Sequence, residues 1–202
     1  GKLMLFQETL DEWLLCQKTW IYLESIFSSP DIVKQLPGPA KMFHLVDKSW
    51  RLIMKMTAED PSALRAGTMK DRKETFISHN QKLDQIQKEL EDYLELKRGA
   101  FPRFYFLSND ELLEILSEAK NVMAVQPHLR KCFDNLVKLE FKGDDPMSTE
   151  ITAMFSGEGE RVSLGKNLKP RGNIEDWLTA VENRMKESLH VFMKEGLIDY
   201  DM

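Results

Sequence analysis

Glycine and proline are scarce in this chain. It has 10 Gly and 8 Pro among 202 residues, too few for the turn-rich layout of an all-β sandwich. Cysteine is scarcer still. Cys16 and Cys132 cannot build a disulfide framework, and they read as reduced thiols of a cytosolic-type compartment, each a small helix residue rather than a reactive group. The 4 histidines, at 44, 79, 128 and 190, hold no pair at zinc spacing. No run of about 18 apolar residues exists, so no transmembrane helix is expected. Gly1-Lys2-Leu3-Met4 is not a secretory signal, and without Met at position 1 the chain is expected to be a segment of a longer one. Positive charge is in deficit as well. A net charge of -5 argues against nucleic acid as the main partner and, more weakly, against an anionic membrane.

What is present is helix-forming. Hydrophobic residues make up 42% and charged residues 30%, enough for a sizeable core in a chain that is not disordered by composition. From Leu3 to Phe27, the residues Phe6, Leu10, Trp13, Trp20 and Phe27 recur on one helical face, widened by Leu14, Ile21 and Tyr22. Ser29-Pro30-Asp31 supplies an N-cap, a proline at the first helical position and an acid in the first turn of a short helix to Leu36. Pro37-Gly38-Pro39 reads as a turn. A helix over about 40–58 follows, with Met42, Leu45, Val46, Trp50, Ile53 and Met56 apolar. Over about 69–97, Phe76, Leu83, Ile86, Leu90, Tyr93 and Leu94 form a heptad-like seam, and Gly99 is expected to end that helix. The aromatic run 101–107 reads as a buried extended crossing or short strand. Ser108 and Glu111 form a capping box for a helix over 109–120, and Pro127 is expected to open another, with Leu129, Cys132, Phe133 and Leu136 inward.

The period changes after Val137. Leu139 and Phe141, Ile151, Ala153 and Phe155, then Val162 and Leu164 alternate with polar residues. Two strands in a hairpin are expected, or three with 139–141, joined through Ser156-Gly157-Glu158-Gly159. Asn173 then caps a last helix to about Glu195, with Ile174, Trp177, Val181, Met185, Leu189 and Phe192 on its face and Gly196 at its C-cap.

One segment invites a chemical reading. Gly157 to Lys166 has the outline of a phosphate loop. It fails in detail: Gly159 and Gly165 enclose five residues, Asn167 replaces the Mg²⁺-binding hydroxyl, Glu158 and Glu160 repel phosphate, and the run lies between strands instead of opening a helix. His128 and Cys132 stand four apart but do not make a metal site, and Asp144-Asp145 lacks a calcium-loop pattern. The four tryptophans, Trp13, Trp20, Trp50 and Trp177, sit on apolar stripes and read as core; the alternative is that they line a partner-binding groove. Lys97-Arg98, Arg103 and Lys169-Pro170-Arg171 suit salt bridges or protein contacts better than nucleic acid.

Several blocks together resemble a known family. Trp20-Ile21-Tyr22-Leu23-Glu24-Ser25-Ile26-Phe27-Ser28-Ser29, Val46-Asp47-Lys48-Ser49-Trp50-Arg51-Leu52-Ile53-Met54 and Phe101-Pro102-Arg103-Phe104-Tyr105-Phe106-Leu107-Ser108-Asn109-Asp110-Glu111 are similar to the dynein heavy chain. Val125-Gln126-Pro127-His128-Leu129-Arg130-Lys131-Cys132-Phe133, Leu139-Glu140-Phe141 and Met154-Phe155-Ser156-Gly157-Glu158-Gly159-Glu160-Arg161-Val162 continue the match. The form Leu107-Ser108-Asn109-Asp110 looks axonemal. The part implied is the linker, an elongated, mostly helical lever that arches over a ring of six ATPase modules, bends and straightens in the power stroke. The expected fold is therefore mainly α, an elongated helical bundle with a small antiparallel β-hairpin near residues 139–165. It is helical over 1–136, with a β element over about 137–165 and a helix over about 173–195. The resemblance implies no catalytic, cofactor-binding or metal-binding residue here; ATP and Mg²⁺ would belong to the ring of the parent chain. It implies intramolecular contacts with that ring, other dynein subunits and microtubules reached through the parent chain, no nucleic acid and no membrane, and a place in the cytoplasm and cytoskeleton, in the axoneme of a cilium or flagellum. A helical adaptor binding partner proteins is the alternative.

Overall fold

The computed structural model describes residues 1–118, 121–143 and 149–200. The chain divides into two compact units, Gly1–Tyr93 and Leu94–Met202. The first contains α1 (Lys2–Phe27), α2 (Pro30–Gln35), α3 (Pro37–Glu59), α4 (Ala63–Gly67) and most of α5 (Arg72–Ala100). α5 carries the expected seam: Phe76, Leu83, Ile86, Leu90 and Leu94 are buried and Tyr93 is half-buried.

Three features of this unit differ from the sequence reading. The buried line of α1 runs through Thr9, Cys16, Leu23 and Phe27, while Leu10, Leu14 and Ile21 are exposed. α1 is apolar on nearly every side, so periodicity alone does not select a face; the small residues Thr9 and Cys16, seven apart, let it sit close to its neighbours. The Thr9 hydroxyl donates to the Leu5 carbonyl at 2.7 Å, which makes its burial tolerable. Second, Pro37-Gly38-Pro39 is the first turn of α3, not a turn between helices. First-turn amides have no helical acceptor, so both prolines fit there, and the chain turns instead at Leu36 (φ -123°, ψ 61°). Third, α5 runs through Gly99 to Ala100. One glycine does have a packing reason. A Cβ on Gly67 would lie 2.5 Å from the Phe6 ring, so α4 meets α1 where only glycine fits.

The second unit takes the end of α5, a 3₁₀ segment over Pro102–Phe106, α6 (Asn109–Ser117), a second 3₁₀ segment over Val122–His128, α7 (Leu129–Cys132), strands β1 (Leu136–Lys142), β2 (Glu150–Ser156) and β3 (Arg161–Leu168), and α8 (Ile174–Tyr200). The sheet is antiparallel in the order β1-β2-β3, so the optional third strand is present. Mainly α with a small antiparallel β element is the observed class.

The aromatic run is 3₁₀ rather than extended. Phe104 N–H donates to the Phe101 carbonyl and Leu107 N–H to that of Phe104, both at 3.0 Å. The three-residue turn places Phe101, Phe104 and Leu107 inward and leaves Tyr105 and Phe106 exposed. The capping box forms as expected: Glu111 N–H donates to Ser108 Oγ at 3.3 Å, and Ser108 N–H to Glu111 Oε2 at 3.0 Å. α6 ends at Ser117; the expected end at Lys120 lies outside the described residues, as do Asp144 and Asp145. Pro127 sits inside the second 3₁₀ segment and does not open a helix; α7 starts two residues later, and Leu136 belongs to β1. Leu129, Cys132, Phe133 and Leu136 are nonetheless buried. Asn173 precedes α8, but its amide donates to Asp176 Oδ2 at 3.0 Å. α8 continues through Gly196 instead of stopping there, at a helix-propensity cost of about 1 kcal/mol. Its stripe is buried at Ile174, Trp177 and Val181 and exposed at Leu189 (45%) and Phe192 (48%).

Candidate functional site

Cys16 is in the first unit and Cys132 in the second, both buried. Burial pushes their thiols up to about 12 and about 11, the wrong direction for a nucleophile. His79 is buried, with its ring edge-on to Phe76 at 6.3 Å, and burial lowers its pKa, which favours the neutral imidazole. His128 Nε2 lies 3.5 Å from Glu114 Oε2 and closes 3₁₀ segment 122–128, so it shares no continuous helix with Cys132. Among the described residues, no group of three or more His, Cys, Asp or Glu is arranged to hold a metal ion.

The glycine-rich run is the β2–β3 hairpin turn. Ser156 N–H donates to the Glu160 carbonyl at 3.0 Å, and Ser156 Oγ accepts from the amides of Glu158 and Glu160. Gly157 N–H donates to Asn135 Oδ1 at 2.9 Å, and a Cβ there would lie 2.8 Å from that oxygen. Gly159 has φ +86° and Gly165, in a bulge of β3, φ +63°. Gly157 and Gly159 thus serve the turn, and the amides of residues 157–160 are already engaged within the chain.

The tryptophans are packing residues. Trp20 stacks on Trp50 with centroids 5.4 Å apart, Trp50 meets Phe76 at 6.1 Å, and Trp13 meets Phe76 at 4.9 Å. Trp20 Nε1 donates to Asp47 Oδ1 at 3.0 Å, and Arg51 Nε donates to the same oxygen at 2.8 Å. Trp177 is buried in the second unit.

The most developed polar site is a brace in the second unit. Near the end of α5, Lys97 Nζ meets Glu175 Oε1 of α8 at 2.6 Å, with side chains 13% and 8% exposed. Next to it Arg98 donates to Asn109 Oδ1 and to the Leu107 carbonyl. Arg103, in the first 3₁₀ segment, grips Glu182 of α8 through Nε (3.2 Å) and Nη2 (3.3 Å), donates to the Cys132 carbonyl at 3.0 Å, and lies 4.6 Å from the Phe133 ring centroid. Hydrogen bonds from Arg103 and Lys186 hold Glu182 below the ordinary carboxylate range. The basic residues were expected in salt bridges; their acidic partners were not foreseen. The signal for them was the seven-residue spacing of Glu175 and Glu182, which puts both on one line of α8, beside the buried Leu178. This arrangement ties α5, the 3₁₀ segment and α7 to α8 by directional bonds of low exposure.

Residues 1–196 match the family model described as dynein heavy chain, N-terminal region 2. The chain is 56% identical to dynein axonemal heavy chain 6 of Homo sapiens over 214 aligned residues, which cover 98% of this chain and 5% of that protein. It is 49% identical to dynein axonemal heavy chain 1 of Rattus norvegicus and 48% identical to dynein axonemal heavy chain 12 of the same species, each over 98% of this chain and 4% and 6% of those proteins. The chain belongs to the dynein heavy chain family, and it corresponds to a segment of the N-terminal region. It spans about one-twentieth of the length of these relatives.

Proposed function

We propose that this chain is part of the linker of an axonemal dynein heavy chain, a non-catalytic segment that transmits the conformational change of the ATPase ring as a lever. The observation that carries the reading is α5. It is an unbroken helix of 29 residues, about 43 Å long at 1.5 Å per residue, that starts in one compact unit and ends in the next. A hydrogen-bonded helix resists bending better than an irregular joint, and α5 is braced at its end by Lys97–Glu175. ATP and Mg²⁺ would act in the ring of the parent chain, and microtubules and other dynein subunits would be reached through that chain. The setting that follows is the axoneme of a cilium or flagellum. Among the described residues no helix is long and apolar enough to cross a membrane. The adaptor alternative has Trp13, Trp20, Trp50 and Trp177 around an open groove; Trp50 and Trp177 are buried, and Trp13 and Trp20 are half-buried against Phe76 and Trp50.

The test uses an intact heavy chain carrying this segment. Inserting two glycines after Asp92 interrupts α5 where the units divide. Under the lever reading, microtubule gliding slows several-fold while ATP turnover continues, since propagated strain is lost and the ring is untouched. Gliding and turnover that stay coupled at wild-type values would count against it.

A further inference from the structure

α3 turns an unusual face to solvent. Lys41, Lys48 and Lys55 recur every seven residues, and Leu45 and Leu52 recur beside them with Met56; all six are exposed. Seven residues are two helical turns, so the lysines form one line, with neighbours about 10.5 Å apart along the axis and an overall length of about 21 Å. Among the described residues none of the three makes an ion pair or a side-chain hydrogen bond. The fourth cation, Arg51, is engaged by Asp47 at 2.8 Å and Glu24 at 3.5 Å. Glu59 closes the line at its C-terminal end. In a chain of net charge -5, this stripe is a local reversal of sign.

The stripe leads into a groove. Between α1, α2 and α3 lies an open cavity of about 760 Å³, lined by Phe27, Val33, Ala40, Leu45 and Lys41; the two carboxylates that also line it, Glu24 and Asp47, are both engaged by Arg51. That volume is within the range of about 300–1,000 Å³ that takes a ligand or several side chains. No tryptophan lines it.

We propose that the outer face of α3 and this groove dock an acidic amphipathic helix of a protein partner. Carboxylates spaced by seven residues would meet Lys41, Lys48 and Lys55; apolar residues between them would cover Leu45, Leu52 and Met56; and one bulky apolar side chain would enter the groove beside Phe27 and Leu45. Charge complementarity selects the sign of the partner, and the alternation of lysine with leucine selects its form. Phosphate backbones and lipid headgroups would satisfy the lysines and leave the leucines and the apolar groove facing charge, so a helix of protein is the better match.

The probe is a fluorescein-labelled helical peptide of six turns, with leucine at heptad a and d and glutamate at e and g, titrated with the 202-residue chain by anisotropy. Binding in the micromolar range is expected, weakened by salt. Lys41→Glu/Lys48→Glu/Lys55→Glu should weaken it by roughly tenfold to a hundredfold, and Leu45→Ser/Leu52→Ser by about tenfold or more. These residues are exposed, so unchanged far-UV circular dichroism and melting are expected of both variants. No binding of the peptide at about 100 µM, equal binding by the lysine triple variant, or tighter lysine-dependent binding of an oligothymidylate or of phosphatidylserine vesicles would each overturn the proposal.

Discussion

Replacing Lys97 with methionine would remove one charge and little volume. Glu175 would stay where it is, 8% exposed, with the cation that met its Oε1 at 2.6 Å gone. Its other oxygen, Oε2, is already buried with no hydrogen-bond partner among the described residues. Breaking a buried pair from one side strands a charge in a poorly polarisable setting, and such losses run to about 3–5 kcal/mol. The two compact units make a single global unfolding constant a poor readout, so hydrogen exchange followed by peptide mass spectrometry is the better assay. In peptides covering 94–118 and 174–190, a loss of that size raises the opening constant by roughly 10²- to 4 × 10³-fold, at tenfold per 1.4 kcal/mol. Peptides within 1–60 should change little. The double variant Lys97→Met/Glu175→Leu should recover most of the protection, because replacing both partners with apolar groups is often neutral or stabilising. A change of less than tenfold in the single variant, or a double variant as labile as the single, would refute the brace.

Other outcomes follow from single positions. Gly67→Ala puts a methyl group 2.5 Å from the Phe6 ring and should destabilise by about 1–3 kcal/mol in urea unfolding, with partial rescue by Phe6→Leu. Glu111 is held at about 2 by Lys131 and Ser108, and Glu140 at about 2 by Arg161 and Thr152. Both lie below the ordinary 4.5, so their stabilisation is present above that pH and is lost as pH falls toward 2. The melting temperature of Glu111→Gln/Glu140→Gln should therefore fall less steeply with acid than that of the parent chain, and parallel curves would contradict the assignment. With both thiols raised by burial, a thiol-specific disulfide reagent at pH 8 should label Cys16 and Cys132 slowly in the folded chain and rapidly in urea.

Elements with a strict local grammar were legible in the sequence. The α5 seam repeats every three or four residues and is buried where it repeats. The capping box at Ser108 and Glu111 needs only two side chains and one helix start. The hairpin followed from alternation around two glycines. Positions decided by tertiary context were not legible. Pro37 and Pro39 are compatible with a turn and with a first helical turn, and only packing of α3 chooses. Phe101, Phe104 and Leu107 carry a three-residue period that identifies a 3₁₀ turn, yet their aromatic character pointed to a strand. α1 offers apolar residues on nearly every side, so its buried face depended on neighbours far along the chain. The brace needed two helices brought together, and Glu175 and Glu182 look like ordinary surface acids until α8 is laid against the 3₁₀ segment.

The central claim is that this segment moves with respect to the ATPase ring as nucleotide is turned over. Because Cys16 and Cys132 are buried, a cysteine introduced at the exposed Glu91 of α5 offers a site for one dye. A second dye is fused to a ring module of the intact heavy chain, and single-molecule energy transfer is recorded without nucleotide and with an ATP analogue. The lever reading predicts two transfer efficiencies that interchange with nucleotide state. One efficiency, unchanged through the cycle in a motor that still hydrolyses ATP, would contradict it.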